Sequence, residues 1–358
     1  MDRLQAKLEK IGRDPKTTAK AVGLRYAAFS GKGYFRKKKG SAFTYADENG
    51  NTVKSPEVLD RIKKLVIPPA WEDVWISPFE NGHLQVTGTD KRGRKQYRYH
   101  PDWNKIRNQS KFFRLRNFSK ALPIIRKQIE KDLKRKGLPY EKVLALVVSL
   151  IEDTNIRIGN DAYKKLYGSF GLTTLRDKHV KMDKSSMKFE FVGKKGVKHS
   201  ISLRSKKLAN LVQKCKEIPG QELFQYYDDN GNHCTIGSSD VNSYLKEITG
   251  EDFTAKDFRA WSGSVTALQC FREIGPAETA TEMKKKVVEV IDCVASKLGN
   301  TRSVCRKYYV HPTVIAAYES GHIDNYEVRK NIKDNQLNAE EEALVRLLST
   351  EKIAEVLG

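Results

Sequence analysis

The residue pattern changes character at Pro101, and that change constrains the fold more than any single motif. Before it, "GYFRKKK", "SAFTYAD", "VWISP", "HLQVTGT" and "KQYRYH" are short runs rich in aromatic and β-branched residues. Such runs, bounded by Gly, Pro and Asn, read as strands. One helix interrupts them, "SPEVLDRIKKL", with Ser55 as its N-cap and Pro56 in its first turn. After Pro101 the pattern is mainly helical, through "DWNKIRNQSKFFRLRNF", "ALPIIRKQIEKDLKRK" and the strongly apolar "YEKVLALVVSLIEDT". A single β segment follows, "SMKFEFVGKKGVKHSISL", and helices then resume to the end. The expected class is α+β: a small β-rich lobe over residues 1–105 and a larger, mainly α lobe over 106–358. A chain of 358 residues suits two domains.

Charge is distributed as unevenly as the pattern. The net charge is +22, and residues 1–120 hold 27 Lys and Arg against 12 Asp and Glu. The region from 318 onward reverses this, with nine acids against five bases, and is not expected to follow a phosphate backbone. A strongly basic lobe attracts a polyanion, and nucleic acid is the commonest because each neutralised phosphate releases counterions. No apolar run approaches bilayer length, and "MDRLQAKLEKIG" reads as an amphipathic helix rather than a signal peptide. Five cysteines with no CxxC pair predict neither a disulfide framework nor a zinc site, so a reducing compartment is expected.

The chain has no GxxxxGK[ST] loop, no HExxH and no carboxylate cluster at metal-ligand spacing. Phosphodiester chemistry here would have to rest on side chains alone. It would need a nucleophile, cations for the transition state, and an acid for the departing sugar oxygen. "KFEFVGKKGVKHSI" offers Lys194 and Lys195 on a glycine-flanked tip, with Phe189 and Phe191 alternating inward opposite Ile201 and Leu203. Arg157 follows an apolar helix in "NIRIGND", and Arg259 lies between Phe258 and Trp261 in "FTAKDFRAWSG". A guanidinium there needs a partner, either two phosphate oxygens or an internal carboxylate such as Asp257 or Asp252. In "GNTRSVCRKYYVHP", helical spacing puts Arg302, Arg306 and Tyr309 on one face, with Val304 and Tyr308 on the next. Tyr308 is thus expected to pack and Tyr309 to face phosphate, where neighbouring cations favour the phenolate form.

Taken in order, "IPPAW", "VTGTDKRGRKQYRYHPDWN", "NIRIGND", "FVGKKG", "KDFRAW" and "LGNT…CRKYYVHP" resemble the type IB DNA topoisomerases, specifically their short bacterial and poxvirus-like form. The series covers nearly the whole chain. The resemblance implies two lobes closing as a clamp on duplex DNA, the catalytic one of the tyrosine recombinase/topoisomerase IB type. It implies a tyrosine that forms a 3′-phosphotyrosyl bond and frees a 5′-hydroxyl, strand swivelling, and religation without ATP, metal or other cofactor. On this sequence the nucleophile becomes Tyr309, the phosphate clamps Arg157 and Arg259, and the general acid Lys194, assisted by Arg157. Asn300 stands where the poxvirus-like pattern has a histidine; its amide can donate a hydrogen bond but cannot carry a charge. In the N-terminal lobe, Gln96, Tyr97 and Tyr99 become major-groove readers, with Arg92, Arg94 and Lys95 as phosphate contacts. The resemblance also implies a monomer on duplex DNA, free of the membrane, in the cytoplasm at the nucleoid.

Two departures from the pattern are Arg302, often a proline, and Tyr308, usually a small residue. Adjacent helix positions point about 100° apart, so Tyr308 is not expected to replace Tyr309. Two other readings remain at this point. A tyrosine recombinase shares this chemistry but usually carries a histidine where this chain has Lys256, and its first lobe is helical. A duplex-binding architectural protein with an inert site would bind DNA without forming a covalent adduct.

Overall fold

The computed structural model describes residues 14–27, 32–40, 42–91, 93, 95–326 and 337–349. The N-terminal helix pattern, Arg92 and Arg94 lie outside these. The chain divides into two compact units, one up to Phe113 and one from Arg114, the division falling inside the helix Pro101–Leu133.

The first unit contains α1 (Pro15–Ala21), β1 (Tyr34–Lys39), β2 (Ala42–Ala46), α2 (Pro56–Lys64), β3 (Glu72–Ile76), β4 (Leu84–Thr89) and β5 (Lys95–Tyr99). Its strands form one antiparallel sheet in the order β2-β1-β3-β4-β5. Ser55 caps α2 as the sequence predicts, its hydroxyl accepting from the Val58 N–H at 3.3 Å, with Pro56 in the first turn. Ile62 of α2 packs on Val74, Ile76 and Val86 of the sheet. A second small core joins Ala19 and Leu24 to Trp103 and Ile106. β5 lies at one edge of this sheet.

The second unit is mainly helical. α3 (Pro101–Leu133) runs unbroken through Pro123, where the sequence suggested two segments. The ring removes one N–H and crowds the preceding turn, a cost offset by burial of Phe118, Leu122 and Ile125. α4 (Tyr140–Thr154) is buried on nearly every face and α5 (Asp161–Tyr167) follows. Next come β6 (Val180–Met182), β7 (Ser186–Val192) and β8 (Lys198–Arg204), an antiparallel sheet that pairs Phe189 with Ile201 and Phe191 with His199. α6 (Lys206–Lys216) precedes a small hairpin, β9 (Gln225–Tyr227) with β10 (His233–Thr235). That hairpin corrects the expectation of helices from Leu203 onward. Its strands are three residues long, too short for alternation to register. The chain continues through α7 (Ser238–Thr249), α8 (Ala255–Ile274), α9 (Ala280–Leu298), α10 (Arg302–Tyr308), α11 (Pro312–Glu319) and α12 (Ala339–Ser349).

Two of the acids near the end, Glu340 and Glu341, form internal ion pairs. Arg126 bonds Glu152 at 2.6 Å and Glu341 at 2.8 Å, and Glu341 also accepts from the Trp261 indole N–H at 2.9 Å. Arg272 pairs with Glu340. α12 is thereby fixed to α8 along its apolar residues Ala343, Leu344, Leu347 and Leu348. All five cysteines are free thiols. No described helix is long and apolar enough to cross a membrane.

Candidate active site

Three turns of the second unit deliver the candidate site. The first ends α4: Asn155 adopts a left-handed conformation, φ 56°, and closes the helix through its N–H on the Ile151 carbonyl at 2.9 Å. The chain then runs without regular secondary structure to Asn160, and the Leu172 and Thr173 N–H groups bond the Arg157 and Ile158 carbonyls at 2.8 and 2.7 Å. This pairing requires glycine at two crossing positions, because a Cβ on Gly171 would lie 2.5 Å from the Gly159 Cα. The Arg157 backbone is therefore rigid before its side chain is considered.

The second turn ends α9 at Gly299, also left-handed at φ 56°. Its carbonyl accepts from Arg157 Nη2 at 3.1 Å, and the same Nη2 donates to the Asn300 Oδ1. Arg259, on the first turns of α8 and only 3% exposed, donates Nη1 to the Asn155 carbonyl and Nη2 to the Leu298 carbonyl at 2.8 Å. Its Nε is buried without a partner. The internal salt bridge considered for Arg259 is absent: Asp257 instead caps α8 through Thr254 and faces Arg114 at 3.5 Å. Among the described residues neither Arg157 nor Arg259 pairs with a carboxylate. Burial and the neighbouring Arg259 guanidinium push the Arg157 pKa down. Two adjacent cations, Arg259 buried and Arg157 half-buried, both held by neutral carbonyls, form a site that an anion would stabilise.

The third turn carries the tyrosines. α10 stops at Tyr308, and Tyr309 closes it with non-helical dihedrals, φ −128° and ψ −22°. Pro312 at the first position of α11 keeps His311 extended, at ψ 131°, so the helix cannot continue. Tyr309 packs against the core, and the Arg259 guanidinium stands 5.1 Å over its ring. Tyr308 is the exposed one, 37% accessible, with the Lys307 ammonium 5.4 Å from its ring. This overturns the helical-face assignment of Tyr308 as the packing residue; Tyr309 lies past the helix end, where helical spacing no longer applies. Arg302, expected beside Tyr309, is bound by Asp292 at 2.5 and 2.7 Å.

Lys194 is held differently. It opens the tight turn between β7 and β8, in which Lys195 takes a left-handed φ of 64°. Phe189 and Phe191 are buried and Ile201 and Leu203 pack on the same core, as the alternation predicts. The Lys194 side chain is exposed and its ammonium stands 5.7 Å over the Tyr163 ring. Among the described residues no hydrogen bond joins it to Arg157, Arg259 or Asn300.

Sequence reasoning missed several residues. Gly263 of α8 allows Tyr309 to approach, since a Cβ there would lie 2.7 Å from the Tyr309 carbonyl oxygen. The Ser264 hydroxyl lies 3.2 Å from that oxygen and accepts from the His311 N–H at 3.0 Å. Both stand one turn beyond Arg259, a spacing that small residues in "WSGS" signal. His199, opposite Phe191, falls in the same inward register as Ile201 and Leu203.

In the first unit, Tyr97 and Tyr99 share one face of β5, their rings stacked at 6.1 Å and 15°. Tyr97 is 49% exposed, whereas Tyr99 packs against the small core around Trp103. The Gln96 amide nitrogen donates to Asp90 at 2.9 Å, and the Lys95 ammonium stands 6.0 Å from the Tyr97 ring.

Comparison with known proteins matches residues 100–337 to the family described as eukaryotic DNA topoisomerase I, catalytic core. Residues 42–90 match the N-terminal domain of bacterial DNA topoisomerase IB. The DNA topoisomerase 1B of Acanthamoeba polyphaga mimivirus is 31% identical over 296 residues, covering 80% of this chain and 88% of that protein. The DNA topoisomerase I of Monkeypox virus is 24% identical over 267 residues, covering 72% and 80%. The DNA topoisomerase 1B of Vaccinia virus, strain Copenhagen, is 25% identical over 270 residues with the same coverage.

Proposed function

This chain belongs to the type IB DNA topoisomerase family, and from that membership we propose how its residues divide the reaction. It relaxes supercoiled duplex DNA by cutting and resealing one strand. Tyr309 Oη attacks phosphorus; the new bond forms as the bond to O5′ breaks, leaving a 3′-phosphotyrosyl ester. Arg157 and Arg259 hold the non-bridging oxygens, where extra negative charge develops in the transition state. The Asn300 amide, its oxygen held by Arg157 and its nitrogen 3.5 Å from the Leu298 carbonyl, has a second N–H to donate to the same oxygens. Lys194, at the hairpin tip, gives its proton to O5′, so the departing strand leaves as a hydroxyl rather than an alkoxide. Religation runs the same steps backwards after the free strand has swivelled, and the ester conserves the bond energy throughout.

In the first unit, Gln96, Tyr97 and Tyr99 of β5 read base edges, while Lys95 and, beyond the described residues, Arg92 and Arg94 contact phosphates. The two units close on the duplex as a clamp, and one chain suffices, acting as a monomer on the nucleoid in the cytoplasm. The observation that carries this reading is the convergence of Arg157, Arg259, Asn300 and Tyr309 on one place with no carboxylate among the described residues paired to either arginine.

The test is relaxation of a supercoiled plasmid in EDTA without nucleotide. Wild type and Tyr308→Phe are expected to relax it, and Tyr309→Phe to lose at least about 10⁴-fold in rate, as loss of a nucleophile does elsewhere. Activity surviving in Tyr309→Phe would overturn the nucleophile assignment. Tight duplex binding without relaxation by wild type would favour the architectural reading.

A further inference from the structure

His199 has no part in the reaction as divided above, yet it stands where two of its pieces meet. On β8 it faces Phe191, the two rings stacked at 4.9 Å and 18°. A Cβ on Gly193 would lie 2.6 Å from its Nε2, and one on Gly299 would lie 2.5 Å from its Cε1. The imidazole thus fills the space between the backbone just before Lys194 and the backbone just before Asn300. Any side chain at either glycine would drive it out. Its ring nitrogens make no hydrogen bond among the described residues. Burial, then the Arg157 and Arg259 guanidiniums, push its pKa down. The ring therefore contributes shape there without a third positive charge.

We infer that His199 is a positioning residue, a wedge that ties the Lys194 turn to the Gly299–Asn300 turn and so fixes where the lysine meets the phosphate. This rests on the general-acid reading of Lys194. Lys194 itself is exposed, its ammonium over the Tyr163 ring; the turn is closed by backbone bonds from Gly193 to Val197 at 2.7 Å and Gly196 to Gly193 at 3.1 Å, and the Phe170 N–H bonds the Val192 carbonyl before it at 2.8 Å. Without the wedge the turn keeps its own shape and loses its registration against Asn300. The chemical step would then slow while the grip on DNA, set by phosphate contacts elsewhere, would remain.

The test compares single-turnover cleavage of two duplexes by the full chain: one with the ordinary phosphodiester and one with sulfur replacing O5′ at the cleaved position. A thiolate, whose conjugate acid has a pKa of about 8.5, leaves without a proton donor. On the ordinary duplex, Lys194→Ala and His199→Ala are each expected to slow cleavage by about 100-fold, the scale of general-acid catalysis. Noncovalent affinity should stay within about threefold, because the phosphate contacts are untouched. On the sulfur-substituted duplex both variants should recover to near the wild-type rate. His199→Phe, which retains a ring between the glycines, should keep most of the rate on both duplexes, and it keeps the inference testable if the alanine variant folds poorly. Recovery of Lys194→Ala without recovery of His199→Ala would overturn the wedge, as would unimpaired cleavage by His199→Ala. No recovery of Lys194→Ala would overturn the general-acid reading, and the inference with it.

Discussion

Tyr97 and Arg259 are both assigned to DNA, and they are built in opposite ways. Tyr97 sits on an edge strand, about half exposed, supported by one stacked ring and a nearby lysine. Arg259 is buried, and two carbonyls at the ends of two different helices fix its guanidinium. The contrast fits the role proposed for each. A group that stabilises a transition state is effective only if its dipoles are already aimed when charge develops, so rigidity is part of the function. A group that grips a duplex can adjust as it docks, because phosphate and groove contacts position the DNA rather than react with it. Rigidity also has a cost, a buried and a half-buried cation side by side, and the apolar packing of α4 and α8 around them offsets it.

Substitutions can break this comparison. The largest effect is expected from Arg259→Lys, which keeps the charge but cannot span both carbonyls and a phosphate oxygen. Its cleavage rate should fall by about 10²–10³-fold, with DNA affinity nearly unchanged. Equal losses of rate and affinity would show that Arg259 holds DNA in the ground state instead. A smaller effect, on the other side of the comparison, is expected from Tyr97→Ala. Affinity for a preferred duplex should weaken by about 1–3 kcal/mol with selectivity between sequences relaxed, while the cleavage rate of the bound complex holds. Lys95→Ala should weaken all duplexes alike and lower the salt slope by about one. A changed cleavage rate in either variant would mean that β5 also takes part in the chemistry.

The smallest effect concerns stability. Burial first of all lowers the pKa of His83 in the first unit and of His179 and His199 in the second. A histidine kept neutral by folding binds its proton more readily in the unfolded chain, so stability rises with pH across this range. It is fully present above the unfolded value of about 6.5 and lost as pH falls below it. Thermal melting followed from pH 7.5 to 5 should show a decline of a few degrees, and His199→Phe should reduce it. A melting temperature flat through that range would mean that these rings are as free to protonate folded as unfolded.

Much of this was legible in local pattern. The Ser55 cap and the inward Phe189 and Phe191 follow from spacing, whereas the cost of burying charge said only that the arginines of "NIRIGND" and "KDFRAW" need partners, leaving a carboxylate and a phosphate both open. The tyrosine assignment was legible only in part. Helical spacing put Tyr308 on the packing side, but Pro312 ends the helix early and turns Tyr309 into the core. His199 carried no signal beyond its alternation with Ile201 and Leu203, because its neighbours Gly193 and Gly299 are distant in sequence from each other.

By itself the sequence determined the family, the β-to-helix change at Pro101 and the residue types the chemistry needs. Those depend on short-range spacing and on ordered motifs, which survive in one dimension. The tertiary structure decided which tyrosine meets Arg259, which carbonyls hold each guanidinium and that an imidazole lies against both Gly193 and Gly299. These depend on where helix ends far apart in the chain come to rest, and chain termination, close packing and left-handed turns set that together.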